Sequence, residues 1–169
     1  MKYFTREWAV GELSEVESNE VIAAYERHLD RVLGQLPATV RCVARELTLH
    51  DGLIRRVIYD RTGRELRLEL RCGDNQLGYF DLDLTYMGAI LDQADLVVLR
   101  DAALDTETEM WFDEIDLAGD GAFIHRVLFY PGRECDIMFR ALGLRMMPRA
   151  DRSIAELSDR YVEGVIAAS

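Results

Sequence analysis

The chain has 169 residues, 49% hydrophobic and 30% charged, a balance that fits one folded domain with a sizeable core and excludes a disordered polymer. Its 31 acidic and 20 basic residues leave a net charge of −11, which disfavours nucleic acid and anionic membrane and suits a basic protein surface as partner. No run approaches the roughly 18 apolar residues of a membrane span, and the opening residues lack the apolar core of a secretory signal. Three dispersed cysteines, Cys42, Cys72 and Cys135, form no CxxC pair, so reduced thiols in a cytoplasmic protein are expected.

Taken in chain order, Tyr3, Phe4 and Trp8 are expected to dock on the domain as a short edge strand. Ser14-x-x-Glu17 has capping-box spacing. Val21, Ile22, Tyr25, Leu29, Val32, Leu33 and Leu36 then trace one helical face, so a helix is expected over 19–33, ended by Gly34 and Pro37. His28 sits beside that stripe and reads as a solvated or boundary residue. From Val40 the period changes to two, predicting a strand through Leu47 and Leu49, a His50-Asp51-Gly52 turn and a second strand at 54–59. Residues 65–72 carry the clearest alternation: Leu66, Leu68, Leu70 and Cys72 inward, Glu65, Arg67, Glu69 and Arg71 outward. In the next strand, 77–90, Phe80, Leu82, Leu84 and Tyr86 share a face, with Asp81 and Asp83 on a solvated one. All three cysteines fall in predicted strands.

Residues 92–104 mix signals. Val97 and Val98 favour a strand, but Asp92 is a good N-cap and Leu96, Leu99 and Ala103 fit helical spacing, so a short helix is expected. Two hairpins follow, with strands at 108–117, 123–130 and 134–142. The last is expected to continue to Arg145 with a bulge or bend at Gly143, and to stop at Pro148. A final helix is expected from Ser153, a second capping box with Glu156, presenting Ile154, Leu157, Tyr161 and Val165.

Residues 41–72 and 109–141 align as two copies of a three-stranded meander. Ile54-x-Arg56-Val57 lies over Ile124-x-Arg126-Val127, and Gly63-Arg64-Glu65 over Gly132-Arg133-Glu134, with gaps confined to turns. The second copy is apolar on both faces and needs cover on both. The expected fold is therefore α+β: residues 1–148 as one domain, a bent, mostly antiparallel sheet of about seven strands covered by the N-terminal helix. Residues 149–169 are expected to form a short C-terminal helical extension able to join two copies in a homodimer.

The opening M-K-Y-F-T-R-E-W, the L-H-D-G turn at 49–52, W-F-D-E-I at 111–115 and H-R-V-L-F at 125–129 resemble an uncharacterised bacterial family. Its members open M-K-Y-F-T-x-E-W and carry an aromatic-D-E-[IV] strand. The similarity covers about residues 1–145 in the same order. The resemblance implies a bacterial, cytosolic protein; it brings no activity and no catalytic residues.

Candidate chemistry is sparse. No GxGxxG, P-loop or nucleophile elbow is present, and the serines sit in helix or cap settings, so a serine hydrolase is excluded. No cofactor and no metal set is implied. His50-Asp51 lies in a turn, where the carboxylate either orients the imidazole or bonds its own backbone beside Gly52. Asp113, in an otherwise apolar row beside Glu114, stands across from His125, as a buried paired carboxylate or a site residue. Two readings follow: a non-catalytic module docking a basic protein, in the manner of small acidic immunity proteins, with Asp81 and Asp83 as a charged contact; or a small-ligand binder or enzyme using Asp113, Glu114 and His125 in a sheet pocket. Whether the chain is an enzyme is left open.

Overall fold

A computed structural model describes residues 1–74, 76, 78–149 and 161–163. The first segment forms α1 (Arg6–Ala9), not an edge strand, because the Thr5 side chain caps it by accepting from the Trp8 amide. α2 (Glu15–Val32) starts at the reciprocal Ser14–Glu17 capping box that the spacing predicts, and buries Tyr25, Leu29 and Val32.

The largest departure follows. Residues expected to begin a strand at Val40 lie in α3 (Ala38–Arg45). Val40 and Val43, 0% and 1% exposed, are three residues apart and so share a helical face, and this pairing overrides their β propensity. Pro37 supplies the N-cap, a place where its missing N–H costs nothing. Cys42 is therefore helical and only partly buried, whereas Cys72 and Cys135 are buried in strands; all three are free thiols.

β1 (Leu53–Asp60), β2 (Glu65–Asp74) and β3 (Gly78–Met87) run antiparallel, with Leu66, Leu68, Leu70, Cys72, Leu82, Leu84 and Tyr86 buried on one face as the alternation predicts. α4 (Gln93–Leu104) confirms the helical spacing, opened by a reciprocal cap between Asp92 and Asp95. β4 (Met110–Gly119), β5 (Ala122–Phe129) and β6 (Arg133–Phe139) form a three-stranded antiparallel sheet. The expected last strand then divides at Arg140. Its continuation, β7 (Ala141–Pro148), leaves that sheet and pairs with β3. Gly143 makes no bulge, because the register runs unbroken through Thr85↔Gly143. β8 (Tyr161–Glu163) pairs in parallel with β1, so these three residues are strand and not helix. The rest of the helix expected from Ser153, and the homodimer contact assigned to it, lie outside the described residues.

The α+β expectation holds, but the bent sheet is two sheets, ordered β7-β3-β2-β1-β8 and β4-β5-β6. The two aligned segments differ over their first strand, which is helix and coil in one and β4 in the other. Single bridges, Gly52↔Met110 and Ile90↔Met138, stitch the sheets together. α4 packs on both β6 and β1, and α3 on both β7 and β4, so each helix closes one open side between the sheets. Among the described residues no helix is long and apolar enough to cross a membrane.

Candidate functional site

Asp113 and His125 meet, as their strand positions suggest. The His125 Nε2 is 3.1 Å from Asp113 Oδ2, and Nδ1 is 2.8 Å from the hydroxyl of Tyr86, a partner reaching across from the other sheet. Burial, with the nearby Asp113 charge and Cys135 behind it, pushes the Tyr86 hydroxyl well above its ordinary pKa. A phenol so held keeps its proton, and both ring nitrogens are occupied, Nδ1 by the Tyr86 hydroxyl and Nε2 by the Asp113 carboxylate, which accepts from Nε2–H. His125 and Tyr86 are both 0% exposed, whereas the Asp113 side chain keeps 21%. In a hydrolytic triad the hydroxyl faces substrate and the carboxylate is buried. Here the order is inverted: the carboxylate is at the wet end and the hydroxyl is sealed, so the chain of groups presents no nucleophile.

Glu114 has a different task. It points to the opposite face of β4, is 1% exposed, and its carboxylate accepts the amides of Lys2 (3.0 Å), Tyr3 (2.6 Å) and Phe4 (2.8 Å). Three consecutive backbone donors on one carboxylate fasten the opening segment across the three-stranded sheet. The M-K-Y-F opening and the Asp113-Glu114 pair of β4 are thus two sides of one contact. Two residues on, Asp116 binds His28 Nε2 at 2.7 Å and Lys2 Nζ at 3.3 Å. Burial pushes its carboxyl up, but the His28 and Leu117 hydrogen bonds and the charges of His28 and Lys2 outweigh that and hold it below the ordinary value. His28 is therefore the boundary residue of the two alternatives, partly buried and held by Asp116.

Asp81 and Asp83 are not a solvated pair; each is 8% exposed. Cross-strand register sets Arg71 opposite Asp81, with Nε to Oδ1 at 2.9 Å, and Arg149 takes the second oxygen at 2.9 Å. Arg67 reaches Asp83 at 3.2 Å. These carboxylates are neutralised within the sheet and offer no acidic contact.

His50 and Asp51 lie at a cleft. His50 donates from Nδ1 to the Trp111 carbonyl and sets Nε2 3.1 Å from Asp51 Oδ1, so the carboxylate faces the imidazole. Asp51 holds φ 60°, and a Cβ on the following Gly52 would stand 2.7 Å from the Leu49 carbonyl and 3.0 Å from Cys72 Sγ, so only glycine fits this turn. The cleft, about 480 Å³, is lined by Glu46, His50, Asp51 and Asp74 together with the apolar Leu47, Phe80 and Met146. Asp113 and His125 are not among its lining residues, so the two sets of site candidates are separate. Glu46 and Asp74 were invisible as site residues, because the cleft gathers segments far apart in sequence. Among the described residues no group of three His, Cys, Asp or Glu side chains is arranged to hold a metal ion. No family model matches the chain, and neither a curated protein nor a solved structure does.

Proposed function

We propose that the chain is a non-catalytic interaction module that docks a basic partner protein at the acidic cleft. The observation that carries this reading is the lining: among the described residues, Glu46, Asp51 and Asp74 surround an apolar floor of Leu47, Phe80 and Met146 with no lysine or arginine among them. Every other cleft described contains an arginine, Arg133 or Arg67 with Arg145. A site of this volume with carboxylates above an aromatic ring suits cationic side chains, whose stems pack on Phe80 while their heads meet the acids. The chain would then act as small acidic neutralising proteins do, by occupying a basic surface in the cytoplasm.

The test uses Asp51→Asn with Asp74→Asn, because asparagine tolerates the left-handed backbone at 51 and keeps an oxygen for the Gln76 amide that Asp74 accepts. Affinity capture at low salt should retain basic proteins on the wild type and lose them on the double variant and at high salt. Equal retention by both proteins overturns the cleft as the docking site.

A second reading rests on the 3.1 Å contact between Asp113 and His125. It makes the sheet interior, with Glu114, a small-ligand or enzyme site. The sealed imidazole and the commitment of Glu114 to backbone amides count against it. It gains if Asp113→Asn removes a turnover or ligand response while leaving stability unchanged.

A further inference from the structure

The outward face of the five-stranded sheet carries an arrangement that neither reading uses. Ile58, Arg67, Thr85 and Gly143 stand in register across four strands, and the next row is Arg56, Glu69, Asp83 and Arg145. Between the rows lies a depression of about 310 Å³, lined by Arg67, Asp83, Thr85, Gly143, Leu144 and Arg145.

Three features of it call for a ligand. Gly143 occupies a strand interior, where glycine packs nothing and weakens pairing. Its neighbours do not require it: a Cβ there would approach nothing closer than 3.4 Å, the Thr85 Cβ. The missing side chain instead leaves the floor of the depression open. Arg67 spends only Nη2 on its acids, Asp83 at 3.2 Å and Glu69 at 3.0 Å, while its buried Nε has no hydrogen-bond partner among the described residues. Arg145 is exposed and forms no ion pair among the described residues. Arg67 is thus balanced by Asp83 and Glu69, and Arg145 is the guanidinium at the depression left without an acid among the described residues.

We propose that this depression is an oxyanion-binding subsite, taking the carboxylate or phosphate group of a small molecule. Arg145 and Arg67 supply paired N–H donors in the planar geometry that oxygen anions favour, and the Thr85 hydroxyl adds another. Asp83 holds the Arg67 head in place and, as a fixed negative charge, favours a monoanion over a dianion. The subsite is independent of the acidic cleft, which is lined from the inward-facing side by Phe80 and Met146.

The experiment is a backbone-amide NMR titration of the full chain with acetate, with inorganic phosphate and with chloride at matched ionic strength. Saturable shifts at Thr85, Gly143, Leu144 and Arg145 with acetate or phosphate, beyond those with chloride, are expected. Tighter acetate binding assigns a carboxylate ligand, and tighter phosphate binding a phosphorylated one. Arg145→Gln should weaken the titration about tenfold, the loss of a charged hydrogen bond. Gly143→Val should fill the floor and abolish it with thermal unfolding retained, and Gly143→Ala serves if the valine fails to fold. Linear shifts, shifts equal with chloride, or shifts untouched by Arg145→Gln overturn the subsite.

Discussion

β1 and β5 carry the same pattern, Ile-x-Arg-Val, and use it in opposite ways. In β1 the register slips between Ile54 and Arg56, so Ile54 joins the core, 1% exposed, while Arg55 leaves the ladder toward Asp81, 3.7 Å away. In β5 the register runs unbroken from Phe123 to Leu128, its shifts falling at the two ends of the strand pair. Ile124 then falls on the outward face, outside the main core cluster, and the next residue, His125, points inward. One extra residue in a strand exchanges its two faces. Where the bulge is present the variable position carries a guanidinium; where it is absent the position carries a sealed imidazole that Asp113 and Tyr86 must satisfy.

Exchange of the two side chains is the strongest way to break that comparison. His125→Arg seals a guanidinium between the sheets and should cost more than about 3 kcal/mol in urea denaturation, whereas Arg55→His should cost under about 1 kcal/mol. Similar losses at both positions would show that the bulge does not divide the two environments. A smaller effect sharpens the same point. Asp113→Ala orphans the buried Nε2–H and should cost about 1–3 kcal/mol, with Tyr86→Phe somewhat less. The two losses should not add, because both act through one imidazole, and a double-mutant cycle reads this directly.

The smallest expected effect concerns Asp81, the carboxylate that receives the displaced arginine. Burial pushes its carboxyl up, but hydrogen bonds from Arg71 and Arg149 and their charges outweigh that and hold it below the ordinary value. A depressed folded value means that the group stabilises the fold above its unfolded pKa, about 3.9, and that this contribution is lost as pH falls through the folded value. Thermal unfolding of the wild type should therefore fall more steeply below about pH 4 than that of Asp81→Asn. Parallel slopes would remove Asp81 from the account of acid stability.

The parts legible in sequence are those fixed by local chemistry. The Ser14 and Asp92 caps mark helix starts because a side-chain oxygen three residues upstream satisfies an amide, whatever the fold. The Leu66–Cys72 alternation gives a face for the same reason. Illegible were features decided by other segments. α3 is helical because Val40 and Val43 find one surface to bury. The break at Arg140 was not placed because Gly143, the only weak strand former singled out there, lies inside an unbroken register and only the second sheet separates the two strands. Asp81 and Asp83 read as solvated because alternation reports a face and not what stands beside it; the arginines arrive by register. Of the site candidates, the contact between Asp113 and His125 was legible from the hairpin. The role of Glu114 was not, for its partners lie at the far end of the sequence.

The amides that Glu114 holds belong to residues 110–112 positions earlier in the chain. Lys2, Tyr3 and Phe4 are made well before β4, so their acceptor does not exist until some 110 residues later. Throughout that interval the opening segment has only α2 to pack on, through Tyr25 and His28, while the β1–β3 hairpins can already pair with one another. Long sequence separation makes such a contact slow to form. The backbone of Lys2–Phe4 is accordingly fastened late, and completion of the three-stranded sheet is the event that supplies its acceptor.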